Sequence, residues 1–278
     1  MSFRMSGVMG WPIGHSRSPA LHGHWLARHG IAGTYVPLAV RPEHLEQALR
    51  ALPVLGFAGC NLTVPHKEAA FHVVDHIDRA AARLRAVNTI LVRPDGTLEG
   101  RNTDGEGFLK HLQASAPAWR PEDRPVLVLG AGGAARAVVG TLADIGVPEV
   151  RVTNRTDARA ETLAAEFGPP VRAWPWADRD GGLAGCSLVV NTTQLGMDGW
   201  PALDLALDRM PGDGVVYDIV YTPLETPLLA EARRRHLVAV DGLGMLLHQA
   251  RAGFAAWFGV EPTVDEALRQ AVLGSTPP

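Results

Sequence analysis

The sequence predicts a two-domain α/β protein in which an N-terminal α/β layer precedes a doubly wound parallel sheet. Three observations predict it. Short apolar strand-like runs alternate with segments of helical spacing from the N-terminal region onward. A continuous apolar run, Pro125 to Gly130, passes at once into a glycine-rich turn and an alanine-rich helix. Strand and helix segments then recur until Asp241. A length of 278 residues suits two domains of ordinary size. With 26 basic against 29 acidic side chains and a formal net charge of -3, the chain is neither a generally basic nucleic-acid binder nor a polybasic membrane-surface protein. Cys60 and Cys186 are too few for a disulfide scaffold and lack metal-ligand spacing, which predicts a reducing compartment. Met1 to Gly10 shows no basic-then-apolar leader pattern, and no uncharged apolar run is long enough to span a bilayer, so a cytoplasmic location is expected.

Taken in order, Ser18-Pro19 starts a helix, with the serine as cap and the proline in the first turn, and Gly30 stops it. A second helix follows Arg41-Pro42, with Leu45, Ala48, Leu49 and Leu52 at helical spacing. Strands are expected over Thr34 to Val40 and Phe57 to Val64, and a hairpin over Asn88 to Arg101 turning at Pro94-Asp95-Gly96. A helix runs from Gly105 to Ala114, with Asp104 available as its cap. Beyond the Pro125 to Gly130 strand, further strands are expected at Glu149 to Thr153, Val171 to Trp174, Ser187 to Asn191, Val215 to Ile219 and Leu237 to Val240. Helical segments between most of them imply right-handed βα crossovers. Gly242 to Phe258 and Val264 to Leu273 read as two closing helices.

The segment Gly130-Ala131-Gly132-Gly133-Ala134-Ala135 has the spacing of a dinucleotide-binding turn of the Rossmann type. Gly130 permits a tight exit from the strand, Gly132 lets backbone N–H groups approach a pyrophosphate, and Ala135 lets the helix pack closely on the sheet. The positive end of the helix dipole then faces the phosphates. At the end of the second strand of such a fold an acid selects NAD and an arginine selects NADP. Here the chain reads Asn154-Arg155-Thr156, with Arg159 one turn on and no acid at the strand end, which favours NADP. A solvated surface role is the plainer reading for Arg159.

Three clusters ahead of that turn are more polar than a structural strand or helix needs. Gly14-His15-Ser16-Arg17-Ser18-Pro19 places two serines at a helix start, where hydroxyls and backbone donors could meet a carboxylate. Asn61-Leu62-Thr63-Val64-Pro65-His66-Lys67 sets a lysine at a strand tip. Ala86-Val87-Asn88-Thr89 is answered across the hairpin by Gly100-Arg101-Asn102-Thr103-Asp104-Gly105. Taken singly, Ser18 and Asp104 read equally well as helix caps and Lys67 as a solvated lysine. Cys60 reads as a packed thiol. His22 and His24, at i and i+2, do not share a helix face and carry no metal site, and no metal-binding motif appears elsewhere.

Together with Asn191-Thr-Thr-Gln-Leu-Gly-Met197, Tyr217-Asp-Ile-Val-Tyr221 and Asp241-Gly-Leu-Gly-Met245 followed by Gln249, these motifs resemble the shikimate dehydrogenase family along nearly the whole chain. The resemblance implies a discontinuous substrate domain, residues 1–104 plus 242–278, with an NADP-binding Rossmann domain, residues 105–241, inserted between. It implies reversible reduction of 3-dehydroshikimate to shikimate, with Lys67 and Asp104 as the catalytic pair. Ser16 and Ser18 would bind the carboxylate, and Asn61, Thr63, Asn88, Asp104 and Gln249 the ring hydroxyls. Tyr221 and Gly242 would line the nicotinamide and substrate cleft. Gly130, Ala131, Gly132, Gly133, Ala134, Asn154, Arg155, Thr156, Arg159, Asn191, Thr192, Met197 and Ile219 would contact the cofactor. Physically, hydride transfer to a ketone builds negative charge on its oxygen, which a lysine ammonium stabilises and protonates.

Within the enzyme class the rival is a quinate or shikimate dehydrogenase with broader substrate or NAD use. The resemblance implies that relatives accepting quinate often replace the second serine of the pair; Ser18 is present here, which together with Arg155 favours shikimate and NADP. A catalytically silent shikimate- or nucleotide-binding regulator is the alternative of another class, disfavoured by the presence of both Lys67 and Asp104. The expected partner is a small molecule, with neither nucleic acid nor membrane, and the chain would act as a monomer or homodimer.

Overall fold

The structure is a computed structural model and describes residues 3–275. The chain divides into two compact units, Met1–Gly107 with Leu246–Pro278, and Phe108–Met245. The divisions fall about one helical turn further along than the boundaries at 104 and 241 expected from sequence, inside helices rather than at their starts.

The first unit contains β1 (Arg4–Gly10), α1 (Ser18–Arg28), β2 (Gly33–Ala39), α2 (Leu45–Ala51), β3 (Gly59–Leu62), α3 (His66–Ala70), β4 (His76–Ile77), α4 (Arg79–Leu84), β5 (Thr89–Val92) and β6 (Leu98–Arg101), and ends within α5 (Asp104–Ser115). Its six strands form one mixed sheet in the order β2-β1-β3-β5-β6-β4. β1 runs parallel to both β2 and β3, whereas β5 is antiparallel to β3 and β6. The β5–β6 hairpin turns as expected, with Gly96 at φ 82° and Asp95 accepting the Thr97 N–H at 3.0 Å. β1 itself has no counterpart in the sequence reading. Its Gly7 interrupts the apolar run, yet a Cβ there would lie 2.5 Å from the Val36 carbonyl oxygen, so the close pairing with β2 requires the residue that hides the strand.

The second unit contains β7 (Val126–Leu129), α6 (Gly133–Asp144), β8 (Val150–Thr153), α7 (Asp157–Phe167), β9 (Val171–Ala173), β10 (Leu188–Asn191), β11 (Val215–Asp218), α8 (Pro227–Arg234) and β12 (Val238–Val240), and ends within α9 (Leu243–Phe258), after which α10 (Glu266–Leu273) completes the first unit. Its sheet is wholly parallel in the order β12-β11-β10-β7-β8-β9. The chain reverses direction across the sheet between β7 and β10, the switch point at which doubly wound sheets bind ligands. The unbroken apolar run of β7 follows from burial on both faces. Val126 and Val128 pack on one side with Ala135, Val138 and Val139, while Leu127 and Leu129 pack on the other with Leu183 and Leu228. Only short 3-10 turns stand between β9 and β10 and between β10 and β11.

Ser18 is a correction at the level of the cap. It is the first residue of α1 rather than its cap, and its backbone N–H donates to the Ser16 hydroxyl at 3.3 Å. No helix among the described residues is long and apolar enough to cross a membrane.

Candidate active site

In the first unit the polar clusters meet at the ends of β3, β5 and β6. Lys67 sits in the first turn of α3, and its Nζ donates to Asp104 Oδ2 at 2.5 Å. The side chains are 17% and 6% exposed, so the pair is largely withdrawn from water. Asp104 begins α5, but its carboxylate does not cap that helix. The other oxygen accepts from Asn88 Nδ2 at 2.7 Å, while the Asp104 N–H donates to Asn102 Oδ1. Asn88 is the hub. Its Oδ1 accepts from the Thr103 N–H at 2.9 Å and from the Thr89 hydroxyl, and its Nδ2 also approaches Thr103 Oγ1 and Gln249 Oε1.

Gln249 arrives from α9, and Gly107 makes room for it. A Cβ at Gly107 would fall 2.6 Å from that of Gln249, so the helices approach only because the position is glycine. Asn61, at 5% exposure, donates through Nδ2 to the Asn88 carbonyl and to Thr89 Oγ1, both at 3.1 Å. Thr63 follows β3, its N–H donating to the Met9 carbonyl, and is half-buried. Ser16 and Ser18 are both buried at the start of α1. His66 anchors the lysine's short helix by a 2.8 Å bond between its Nε2 and the Val40 carbonyl, and burial lowers its pKa. Sequence reasoning missed Thr103, which bridges Asn88 and Gln249 from within a motif already quoted for its neighbour.

In the second unit the glycine turn leaves β7 with Gly130 at φ 111°, a conformation that L side chains rarely adopt. A Cβ at Gly130 would also run into the Thr192 hydroxyl, which donates to the Leu129 carbonyl at 2.6 Å. At Gly132 a Cβ would meet nothing within 4 Å, and α6 starts there with no side-chain cap. Bare backbone donors therefore face open space, which is what a pyrophosphate requires. Ala131, Gly133 and Ala134 are partly exposed around that opening.

At the end of β8, Arg155 and Thr156 are exposed, and Asn154 is tied back by its Nδ2 to the Thr156 carbonyl at 2.9 Å. The nearest acid, Asp157, accepts the Trp176 N–H at 3.0 Å, so it is engaged in holding a turn. Arg159 is exposed one turn into α7. Asn191 spends its polar atoms on protein, donating to Leu195 O and Asp218 Oδ1 and accepting from the Thr193 N–H and hydroxyl. Its part is to shape the loop that carries Thr192 and Met197. Asp218, a functional residue that no motif spacing reveals, also accepts from the Val220 N–H and the Thr226 hydroxyl. It thereby orders the segment bearing Ile219 and Tyr221. Burial pushes the Asp218 carboxyl up to about 6. Gly242 closes against Ile219, where a Cβ would strike backbone. Among the described residues no group of histidines, cysteines or acids could hold a metal ion.

A switch-point sheet with a bare glycine turn, in one chain with a unit that buries a lysine–aspartate pair among amides and hydroxyls, places the protein among two-domain α/β proteins that combine a dinucleotide-binding sheet with a separate substrate unit. Comparisons with known proteins narrow the class. Residues 8–90 match the shikimate dehydrogenase substrate binding domain, residues 113–195 the shikimate / quinate 5-dehydrogenase model, and residues 242–273 the shikimate 5'-dehydrogenase C-terminal domain. A shikimate dehydrogenase (NADP(+)) of Paramagnetospirillum magneticum is 60% identical over 270 residues, 97% of this chain and 98% of that protein. The crystal structure of the Thermus thermophilus shikimate 5-dehydrogenase in complex with NADP(H) and shikimate has a TM-score of 0.86 at 39% identity, covering 97% of this chain and 98% of that one. A quinate dehydrogenase from Corynebacterium glutamicum in complex with NAD has a TM-score of 0.90 at 30% identity, covering 99% of this chain and 100% of that one. The chain belongs to the shikimate dehydrogenase family.

Proposed function

We propose that the protein catalyses the reversible NADP-dependent interconversion of 3-dehydroshikimate and shikimate, a step of aromatic amino-acid biosynthesis. The observation that carries this reading is the Lys67–Asp104 pair, partly shielded and bonded to Asn88 in a unit of the substrate-binding type. When bound, NADPH would supply the hydride for ketone reduction.

The residues present fit that cofactor. Gly130, Gly132 and the start of α6 would cradle the pyrophosphate, and Arg155, with Asn154, Thr156 and Arg159 nearby, would take the 2′-phosphate. Thr192, Met197, Ile219, Tyr221 and Gly242 would border the nicotinamide. Lys67 stabilises the charge that grows on the ketone oxygen and delivers a proton to it. Asp104 holds the ammonium in place, and Asn88 fixes Asp104. In the oxidative direction the same lysine takes the alcohol proton. Ser16 and Ser18 receive the carboxylate, while Asn61, Thr63 and Gln249 meet the ring hydroxyls. Orientation by this set limits the reactive poses, which is where much of such a rate enhancement arises.

Arg155, with Asp157 occupied elsewhere, supports NADP over NAD; Ser18 supports shikimate over quinate. The same reading places the protein in the cytoplasm as a monomer or homodimer acting on small molecules. The test is to incubate purified protein with shikimate and NADP and follow formation of the reduced nicotinamide. Turnover is expected, and its absence would leave the silent-regulator reading in place.

A further inference from the structure

His22 and Tyr35 lie outside the residues assigned so far, yet both are buried in the unit that holds the lysine–aspartate pair. Their rings are stacked face to face, with centroids 3.9 Å apart and planes 6° from parallel. Burial lowers the His22 pKa to about 3, so a flat neutral imidazole backs the phenol. The Tyr35 hydroxyl, held by that stack, donates to Asn61 Oδ1 at 2.7 Å. Both Asn61 Nδ2 hydrogens are already directed at the Asn88 carbonyl and Thr89 Oγ1. The amide is therefore fixed in one orientation, with its oxygen toward Tyr35.

We propose that Tyr35 is a positioning residue for substrate recognition, which sets Asn61 as a hydrogen-bond acceptor for a ring hydroxyl. The proposal rests on the shikimate reading above, which supplies the ring hydroxyl that Asn61 meets. Without the phenolic hydroxyl, Oδ1 of Asn61 loses a buried donor, and the acceptor it offers the substrate is no longer aligned from that side. The selectivity that follows is for a hydroxyl donor, since a site built around a fixed buried acceptor discriminates strongly against a ligand lacking the matching hydrogen.

The experiment compares wild type, Tyr35→Phe, Asn61→Ala and the double variant for kcat and KM with shikimate and NADP, with thermal midpoints alongside. Tyr35→Phe keeps the ring and its stack. It is expected to raise the shikimate KM about tenfold while kcat and the NADP KM stay within about twofold. In the Asn61→Ala background the same change is expected to alter the shikimate KM less than about twofold, because the group being positioned is gone. A shikimate KM unchanged by Tyr35→Phe, or an equal effect in both backgrounds, overturns the proposal while leaving the function intact. A wild type inactive on shikimate overturns both. If Tyr35→Phe fails to fold, His22→Leu, which fills the space without offering a flat face, must raise the shikimate KM with kcat retained, and an unchanged KM overturns the proposal equally.

Discussion

The two units bury polar groups for different purposes. In the unit with Lys67, buried polar side chains bond mainly to one another, in a chain that runs from Tyr35 through Asn61, Thr89 and Asn88 to Asp104 and Lys67. In the nucleotide unit, Thr192 bonds to backbone, and Asn191, Asp218 and Thr226 shape the loops after β10 and β11. The phosphate turn itself carries no polar side chain at all. A unit that recognises a carboxylate and several hydroxyls through side chains must keep those side chains satisfied by each other before a substrate arrives. One that recognises a pyrophosphate through backbone N–H groups needs the opposite, a stretch of chain stripped of side chains.

The largest expected effect separates the chemistry of the first unit from the binding in the second. Lys67→Ala should lower kcat about a thousandfold with shikimate and NADP KM changed only a few-fold, because the ammonium acts chiefly as charge develops. Steady-state kinetics check it, and near-normal turnover would remove Lys67 from the mechanism.

One buried group in each unit, His22 in the first and Asp218 in the second, should respond to pH with opposite signs. His22 has a folded pKa of about 3 against an ordinary 6.5, so between these values the unfolded chain holds a proton that the folded chain lacks. Its contribution to stability therefore rises with pH and is lost on acidification, by on the order of 3 kcal/mol at pH ~4. His22→Phe, which keeps an aromatic face, should gain on wild type as pH falls through this window in denaturant titrations. Asp218 has a folded pKa of about 6 against 3.8, so there the folded chain holds the extra proton. Its contribution is greatest at acid pH and is lost as pH rises to about 6, by roughly 2 to 3 kcal/mol. Asp218→Asn should therefore gain on wild type as pH rises over that range. Equal pH profiles for wild type and either variant would remove that residue from the contrast.

The smallest effect concerns cofactor choice. Arg155→Ala should raise the NADP KM about tenfold and leave the NAD and shikimate KM values within about twofold, as expected for one exposed charge-assisted contact. An equal rise for both nicotinamides would assign Arg155 to general binding.

The same contrast governs what the amino-acid sequence revealed. The nucleotide unit was legible almost strand by strand, because burial on both sheet faces writes unbroken apolar runs and the phosphate turn writes glycines. The polar motifs carrying Lys67, Asn88 and Asp104 were legible as clusters, though not the bonds joining them. Ser18 and Asp104 looked like helix caps, whereas Ser16 takes the Ser18 N–H and the Asp104 carboxylate is committed to Lys67 and Asn88. β1 was hidden by the glycine that its close pairing needs. Tyr35 and His22 stand in a strand and a helix with no local motif, and only the packing of β2, β3 and α1 brings them to Asn61. Asp218 lies in the Tyr217 to Tyr221 motif, but its partners Asn191 and Thr226 come from the end of β10 and the start of α8.

The most direct test of the central claim is a side-by-side measurement of kcat/KM for shikimate and quinate with each nicotinamide cofactor. Ser18 and Arg155 predict that shikimate with NADP gives the highest value of the four combinations. Quinate with NAD giving the highest value would contradict the assignment of both substrate and cofactor.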